Sequence, residues 1–291
     1  MKKVTALSIG MSLLFLGSSI VSAQDGAGSP TMGPPKVLVI MREYLKPGRA
    51  GSMHEKTESA FVRAMADAKW PTHYFGMDSL SGPSRSLFFV GYPSFEAWEK
   101  DNLATQKNAT LAAAFDRAGI ADGDLLTSYE SSTSVYREDM SLRAPVNIAQ
   151  MRYFEITQFV VRPGHEREFE ALAKMYVDGY GKAVPNAHWA TFERQYGAST
   201  GDSVGDVFLI LNPMKSLAEV DSSFADSKKF DSSMNESERK KLAELSAASI
   251  ESVQTNLFSF NPKESYPDPE WIKADSFWKP KVAASTAKPA Q

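Results

Sequence analysis

Four of the 291 residues are histidines, and two of them, His73 and His188, each open a run of strand character. His73 precedes Tyr74-Phe75-Gly76-Met77, and His188 precedes Trp189-Ala190-Thr191-Phe192. An imidazole titrates near neutrality, so at the end of a strand it can serve as a general base or ligate a metal. Against this stands a plainer role, a side chain packed beside Trp70 or Trp189, since histidine is intermediate in burial. Glu155 is the third candidate. Alternation along its strand puts Tyr153, Glu155, Thr157 and Phe159 on one face and Phe154, Ile156, Gln158 and Val160 on the other. If the first set lines an interior, Glu155 is a carboxylate in an apolar cavity with a raised pKa, usable as acid or base. If it lies at a rim, it pairs with Arg152 or Arg194, and Arg42 and Glu43 on an earlier strand pose the same choice.

Other chemistries lack their residues. There is no cysteine, which excludes disulfides, thiolate metal sites and thiol catalysis. No His-x-His or His-x-x-x-His occurs, and His54 and His165 fall on separate predicted helices, so no metal site is expected. Those two are also the only helix-borne candidates for an axial haem ligand, and their charged neighbours place them in solvent. Gly-x-Ser-x-Gly and phosphate-binding glycine loops are missing. A net charge of −3 with no basic run gives no footprint for nucleic acid.

The elements that would position these side chains come in two similar series. Val37–Met41 with Glu43-Tyr44-Leu45 reads as a strand closed by Lys46-Pro47-Gly48, and Phe154–Val161 as a strand closed by Arg162-Pro163-Gly164. Each is followed by an amphipathic helix, with Met53, Thr57, Phe61, Met65 and Ala68 on the apolar face of the first. Phe169, Leu172, Ala173, Tyr176 and Tyr180 form that face in the second. Then come the histidine-led strands, a further strand (Ser86–Pro93; Asp206–Pro213), and a short helical piece (Ser94–Trp98; Ser216–Val220). An Ala-rich helix (Ala109–Ala118; Glu236–Ala248) and a closing strand (Thr127–Arg137; Ser252–Phe260) complete each series. The order is β-α-β-β-α-β twice, the ferredoxin-like pattern, in an α+β chain. This gives units at 37–137 and 151–261 with a linker at 138–150. Before them stand a secretory signal at 1–23, with Lys2 and Lys3, an apolar core and the ending Val21-Ser22-Ala23, and a flexible lead-in at 24–36. After them, residues 262–291 form a Pro/Lys/Ala-rich tail in which Trp271, Ile272, Phe277 and Trp278 are expected to anchor the chain to the body.

The stretch Phe154-Glu155-Ile156-Thr157-Gln158-Phe159-Val160-Val161-Arg162-Pro163-Gly164 resembles the opening strand of NIPSNAP-type proteins in the dimeric α/β-barrel superfamily. Thr157 stands where an arginine is usual, and in the first series only Tyr44 and Lys46-Pro47-Gly48 match. The resemblance implies two tandem ferredoxin-like units whose antiparallel sheets close into a pseudo-dimeric barrel with an inner cavity. Taken together, the expected protein is exported, periplasmic or extracellular, with no membrane span after signal removal. It binds an apolar or aromatic small molecule without a cofactor, with Glu155, His73 and His188 as candidate catalytic groups for oxygenase- or isomerase-like chemistry. The alternative is a non-enzymatic envelope protein whose barrel interior is packed, and a cavity discriminates the two.

Overall fold

The computed structural model describes residues 33–197 and 205–279. The expected signal at 1–23, most of the lead-in and the last twelve residues of the tail lie outside them. The first half runs through β1 (Val37–Leu45), α1 (Ser52–Asp67), β2 (Tyr74–Ser79), β3 (Arg85–Tyr92), α2 (Phe95–Lys107), α3 (Ala109–Gly123) and β4 (Leu126–Tyr136). The second runs through β5 (Tyr153–Val161), α4 (Glu166–Ala183), β6 (Ala190–Tyr196), β7 (Val207–Met214), α5 (Ala218–Ser233), α6 (Glu236–Ser249) and β8 (Ile250–Tyr266), and a short α7 (Pro269–Ala274) follows.

The eight strands form one closed antiparallel barrel in the order β1-β3-β2-β8-β5-β7-β6-β4. Closure leaves no unpaired sheet edge. Alternation then decides what each strand presents inward. Leu38, Ile40, Phe89, Phe154, Ile156, Leu209, Leu211 and Phe258 meet in the interior core, with Ile40 opposite Phe89 and Phe154 opposite Phe258. The outward faces of the strands are covered in turn by the helices, so the first part of β1, Val37–Ile40, is buried on both faces and reads as an apolar run before Arg42 and Glu43. The two Pro-Gly turns after β1 and β5 each place their glycine, Gly48 and Gly164, at positive φ (76° and 83°), where a side chain is strained.

Three local expectations change. The short pieces after β3 and β7 are full helices. Ser94 caps α2 by accepting from the Ala97 N–H, and Asn108 both ends α2 and caps α3 through Leu111 N–H. The buried residues of α1 are His54, Glu58 and Met65, so Met65 keeps its predicted place while Met53 is exposed, Thr57 and Phe61 are half-buried, and the buried stripe includes two polar residues that the apolar periodicity left out. Finally, β8 does not stop near Phe260. Its first part pairs with β5 and its last part crosses to pair with β2, Gly76 lying opposite Asn261 and Tyr74 opposite Tyr266. Close approach at this seam requires Gly76, because a Cβ there would sit 2.7 Å from the Glu264 carbonyl oxygen. Beyond the strand, Trp271 and Trp278 are buried in the barrel core.

Candidate functional site

The barrel interior is packed at its centre and differs at its two ends. At the end where β1, β2 and β6 begin, the described residues line a half-open cavity of about 650 Å³. Its walls are mainly aromatic and aliphatic, with Phe75, Phe89, Phe154, Phe192, Trp189 and Trp271 among them, which suits a flat apolar ligand. The opposite end holds a space of about 50 Å³ among Arg42, Arg85, Arg194, Glu130, Gln158, Gln254 and Asn256. Burial pulls the Arg42 guanidinium down to about 10, with the nearby Tyr44 and Glu130 opposing that effect, and its Nη1 donates to Ser132 Oγ at 2.7 Å.

The fold brings His73 and His188 to the same apolar cavity, each from the residues leading into its strand. Their surroundings differ. His188 has a carbonyl oxygen on each ring nitrogen, Asn186 O at 3.0 Å from Nδ1 and Pro213 O at 2.9 Å from Nε2, so neither nitrogen is free for a ligand's proton. The His73 ring lies against Tyr266, centroids 4.8 Å apart, and its buried Nδ1 has no hydrogen-bond partner among the described residues. Its neighbour is therefore Tyr266, and Trp70 instead donates its indole N–H to Asp101 at 2.9 Å.

Glu155 is elsewhere. Phe154, Ile156 and Val160 face the interior, whereas Phe159, on Glu155's face, packs against Phe169 of α4 with ring centroids 5.5 Å apart. The carboxylate therefore lies on the outer, helix-covered face and does not line the barrel. The interior takes the more apolar set of that strand, leaving the Glu155 set to the helices. Burial raises its pKa and a hydrogen bond with Asn212 lowers it, and neither expected arginine is its partner. Arg152 pairs with Asp275 instead. A carboxyl whose pKa rises on folding contributes most below its unfolded value and loses stability as pH rises through the folded one. Glu155→Gln is thus expected to match the parent's stability near pH 4 and to exceed it at pH 7–8, by under about 1 kcal/mol, in urea titrations at both pH values.

A cluster that the chain's local patterns did not disclose lies between α1, α3 and the barrel wall. His54 is fully buried, contrary to the solvent position its charged neighbours suggested. Its Nε2 stands 2.9 Å from Glu43 Oε2 and 3.5 Å from Asp122 Oδ1, and its Nδ1 stands 3.1 Å from Glu264 Oε1. Burial works against the imidazolium, but hydrogen bonds to Glu264 and Glu43 outweigh it and push its pKa up to about 11. Burial raises Glu264 to about 7, the His54 bond opposing it, and raises Glu58 well above the usual carboxylate range, with Glu43 and Asp122 adding to that rise. Two features of the sequence could have drawn attention to it, though neither is specific. Glu43 shares its strand face with Val37, Val39 and Met41, and His54 with Glu58 stand at i,i+4 on the helix face that also holds Met65. Neither helix-borne histidine fits an axial haem ligand, since both His54 nitrogens are held by carboxylates and His165 is half-exposed beside Glu168.

No protein-family model matches the chain, and no curated protein matches its sequence. Solved structures do. A crystal structure of an anthrone oxidase-like protein is 13% identical, covers 80% of this chain and 94% of its own, and superposes with a TM-score of 0.50. A proposed monooxygenase from Fusobacterium nucleatum (12% identity, 79% and 94% covered, TM-score 0.48) and a variant chlorite dismutase from Candidatus Nitrospira defluvii (13%, 82% and 95%, 0.41) are also similar. The fold is an α+β closed eight-stranded antiparallel barrel, and the likeness to the anthrone oxidase-like structure is one of fold. Among the described residues, no helix is long and apolar enough to cross a membrane.

Proposed function

We propose that this protein binds a flat apolar or aromatic small molecule at the open end of its barrel and acts on it as a cofactor-free oxygenase. The observation that carries this reading is the aromatic cavity of about 650 Å³ with an imidazole, His73, whose Nδ1 makes no hydrogen bond among the described residues. A base in an apolar wall can take a proton from an acidic C–H of the ligand. The resulting carbanion is electron-rich enough to react with dioxygen, and loss of water then gives a ketone, R2CH2 + O2 → R2CO + H2O. Returning the proton to another carbon instead would be an isomerisation through the same base. The likeness to an anthrone oxidase-like barrel supports a polycyclic aromatic ligand.

In this reading the chain is NIPSNAP-like, with tandem ferredoxin-like units at 37–137 and 151–261 joined by 138–150. The repeated order of elements and the matching half-barrels, β4-β1-β3-β2 and β8-β5-β7-β6, support it. Residues 1–23 would be removed on export, which sequencing the N-terminus of protein secreted by its host would check. The envelope-protein alternative requires a packed interior, and the cavity counts against it.

Anthrone is a suitable probe because Trp189 and Trp271 line the cavity and report binding by fluorescence. Saturable quenching is expected, weakened by Ala190→Phe, which fills the cavity. His73→Asn should bind within about threefold of the parent yet consume oxygen at least about a hundredfold more slowly, the usual worth of a general base. No saturable binding by anthrone or related aromatic ketones, or equal binding by the filled variant, would overturn the ligand site. Undiminished oxygen consumption by His73→Asn would remove His73 from the chemistry.

A further inference from the structure

We infer that Glu43, His54, Glu58 and Asp122 form a structural site for one divalent first-row metal ion, Mn²⁺ or Zn²⁺ in kind, clipping α1 and α3 to the barrel wall. The site lies on the helix-covered face of β1, apart from the ligand cavity, and the inference does not rest on the proposed oxygenase function.

The spacing of the donors comes first. One donor atom from each of the four side chains lies within 4.8 Å of all the others. Metal–ligand bonds of about 2.0–2.2 Å place opposite donors up to about 4.4 Å apart and adjacent ones about 3.0–3.5 Å apart. The His54 Nε2 distances of 2.9 and 3.5 Å to Glu43 and Asp122 match such adjacent positions. Small side-chain adjustments would complete the sphere.

Glu58 supplies the second, independent observation. It is 3% exposed, and its Oε1 has no hydrogen-bond partner among the described residues. Buried carboxylate oxygens are ordinarily satisfied. Here the groups acting on Glu58 are Glu43, Asp122 and Glu264, with His54 alone of opposite sign, so the charge set calls for a cation. As a purely organic network, a His54 imidazolium bridging Glu43 and Glu264 would still leave Glu58 without a donor.

The surroundings are those of an oriented ligand set. Glu264 Oε1 sits on His54 Nδ1, which fixes the ring with Nε2 turned to the ion, and Thr57 Oγ1 donates to Asp122 Oδ1 at 2.7 Å. Ser86 Oγ lies 3.3 Å from Nδ1 and donates to Asp78 at 2.6 Å, extending the support. One imidazole with three carboxylates and no sulfur disfavours copper(I), while the nitrogen donor separates the site from the all-oxygen cages of Ca²⁺ and Mg²⁺. All four ligands are at most 8% exposed, so no open coordination position faces a substrate and the role is structural.

The test uses the full chain after chelator treatment and buffer exchange. Titration with Mn²⁺ and with Zn²⁺, followed by native mass spectrometry and thermal unfolding, is expected to show one ion per chain and a raised melting temperature. Glu58→Gln keeps the side-chain shape and should weaken binding at least about tenfold, while its metal-free form melts no lower than the metal-free parent. Asp122→Asn repeats the measurement from α3. Co²⁺ in the unmutated chain should give a visible d–d band, a readout that needs no variant. Absence of any bound ion at 100-fold excess, or ions bound equally by the parent and both variants, would overturn the inference. The second result would mark adventitious surface binding.

Discussion

Replacing His54 by leucine is expected to lower the unfolding free energy by about 3–5 kcal/mol, the range seen when one partner of a buried ionic group is removed. The side chain is fully buried and its ring touches carboxylates on both sides, Glu43 at 2.9 Å and Glu264 at 3.1 Å. Leucine fills much of the same volume, so the loss arises from charge and not from a cavity. Glu43, Glu58, Asp122 and Glu264 would then face one another with no positive side chain inside the cluster. Neutralising a second member should recover part of the loss, and His54→Leu/Glu264→Gln is expected to be more stable than His54→Leu alone. Urea unfolding of the parent, both single variants and the double variant gives the coupling directly. A loss below about 1 kcal/mol for His54→Leu would mean that the carboxylates are held neutral without the imidazole, and the account of the cluster would fail.

Trp278→Ala is expected to cost a similar 3–5 kcal/mol, as for other large aromatic truncations in a core. Trp278 is fully buried, its ring 5.3 Å from Phe260 and 5.1 Å from both Trp271 and Phe277, and its indole N–H donates to Ala149 O at 2.7 Å. Truncation would remove those contacts and leave the Ala149 carbonyl with only the longer hydrogen bond from Arg152 Nη1 at 3.4 Å. The same tail carries Asp275, paired with Arg152, whose guanidinium lies 4.2 Å from the Phe277 ring. Trp278→Phe keeps most of the apolar contact and loses the hydrogen bond, so about 1–2 kcal/mol is expected there. If alanine at 278 costs under 1 kcal/mol in urea unfolding, the tail covers the barrel end without stabilising it.

How far the chain could be read in advance depends on the range over which each signal acts. Strand and helix order came from periodicities of two and 3.6 residues and from the paired Pro-Gly turns, all of which are local. The face of α4 was legible because Phe169, Leu172, Ala173 and Tyr176 are apolar and meet Phe208 and Leu242 beneath it. The face of α1 was legible only in part: Met65 is buried as expected, but the stripe also carries His54 and Glu58, which hydrophobicity alone assigns to solvent. Glu155 shows the same limit on a strand. Alternation separated its two faces but could not say which one is interior, and closure of the barrel around Phe154 and Ile156 settled that.

The sequence by itself determined the order of elements, the absence of thiol chemistry and the equivalent places of His73 and His188, since each rests on residue type or short-range spacing. Tertiary structure alone decided that those two histidines share one cavity and that only His188 has both nitrogens occupied. It also decided that Glu264, 210 residues from His54, completes the buried cluster. The physical reason is pairing across the seam: β8 leaves β5 and continues along β2, carrying a carboxylate from the far end of the chain onto a helix near its beginning. No local pattern specifies such a crossing, because it follows from closing the sheet.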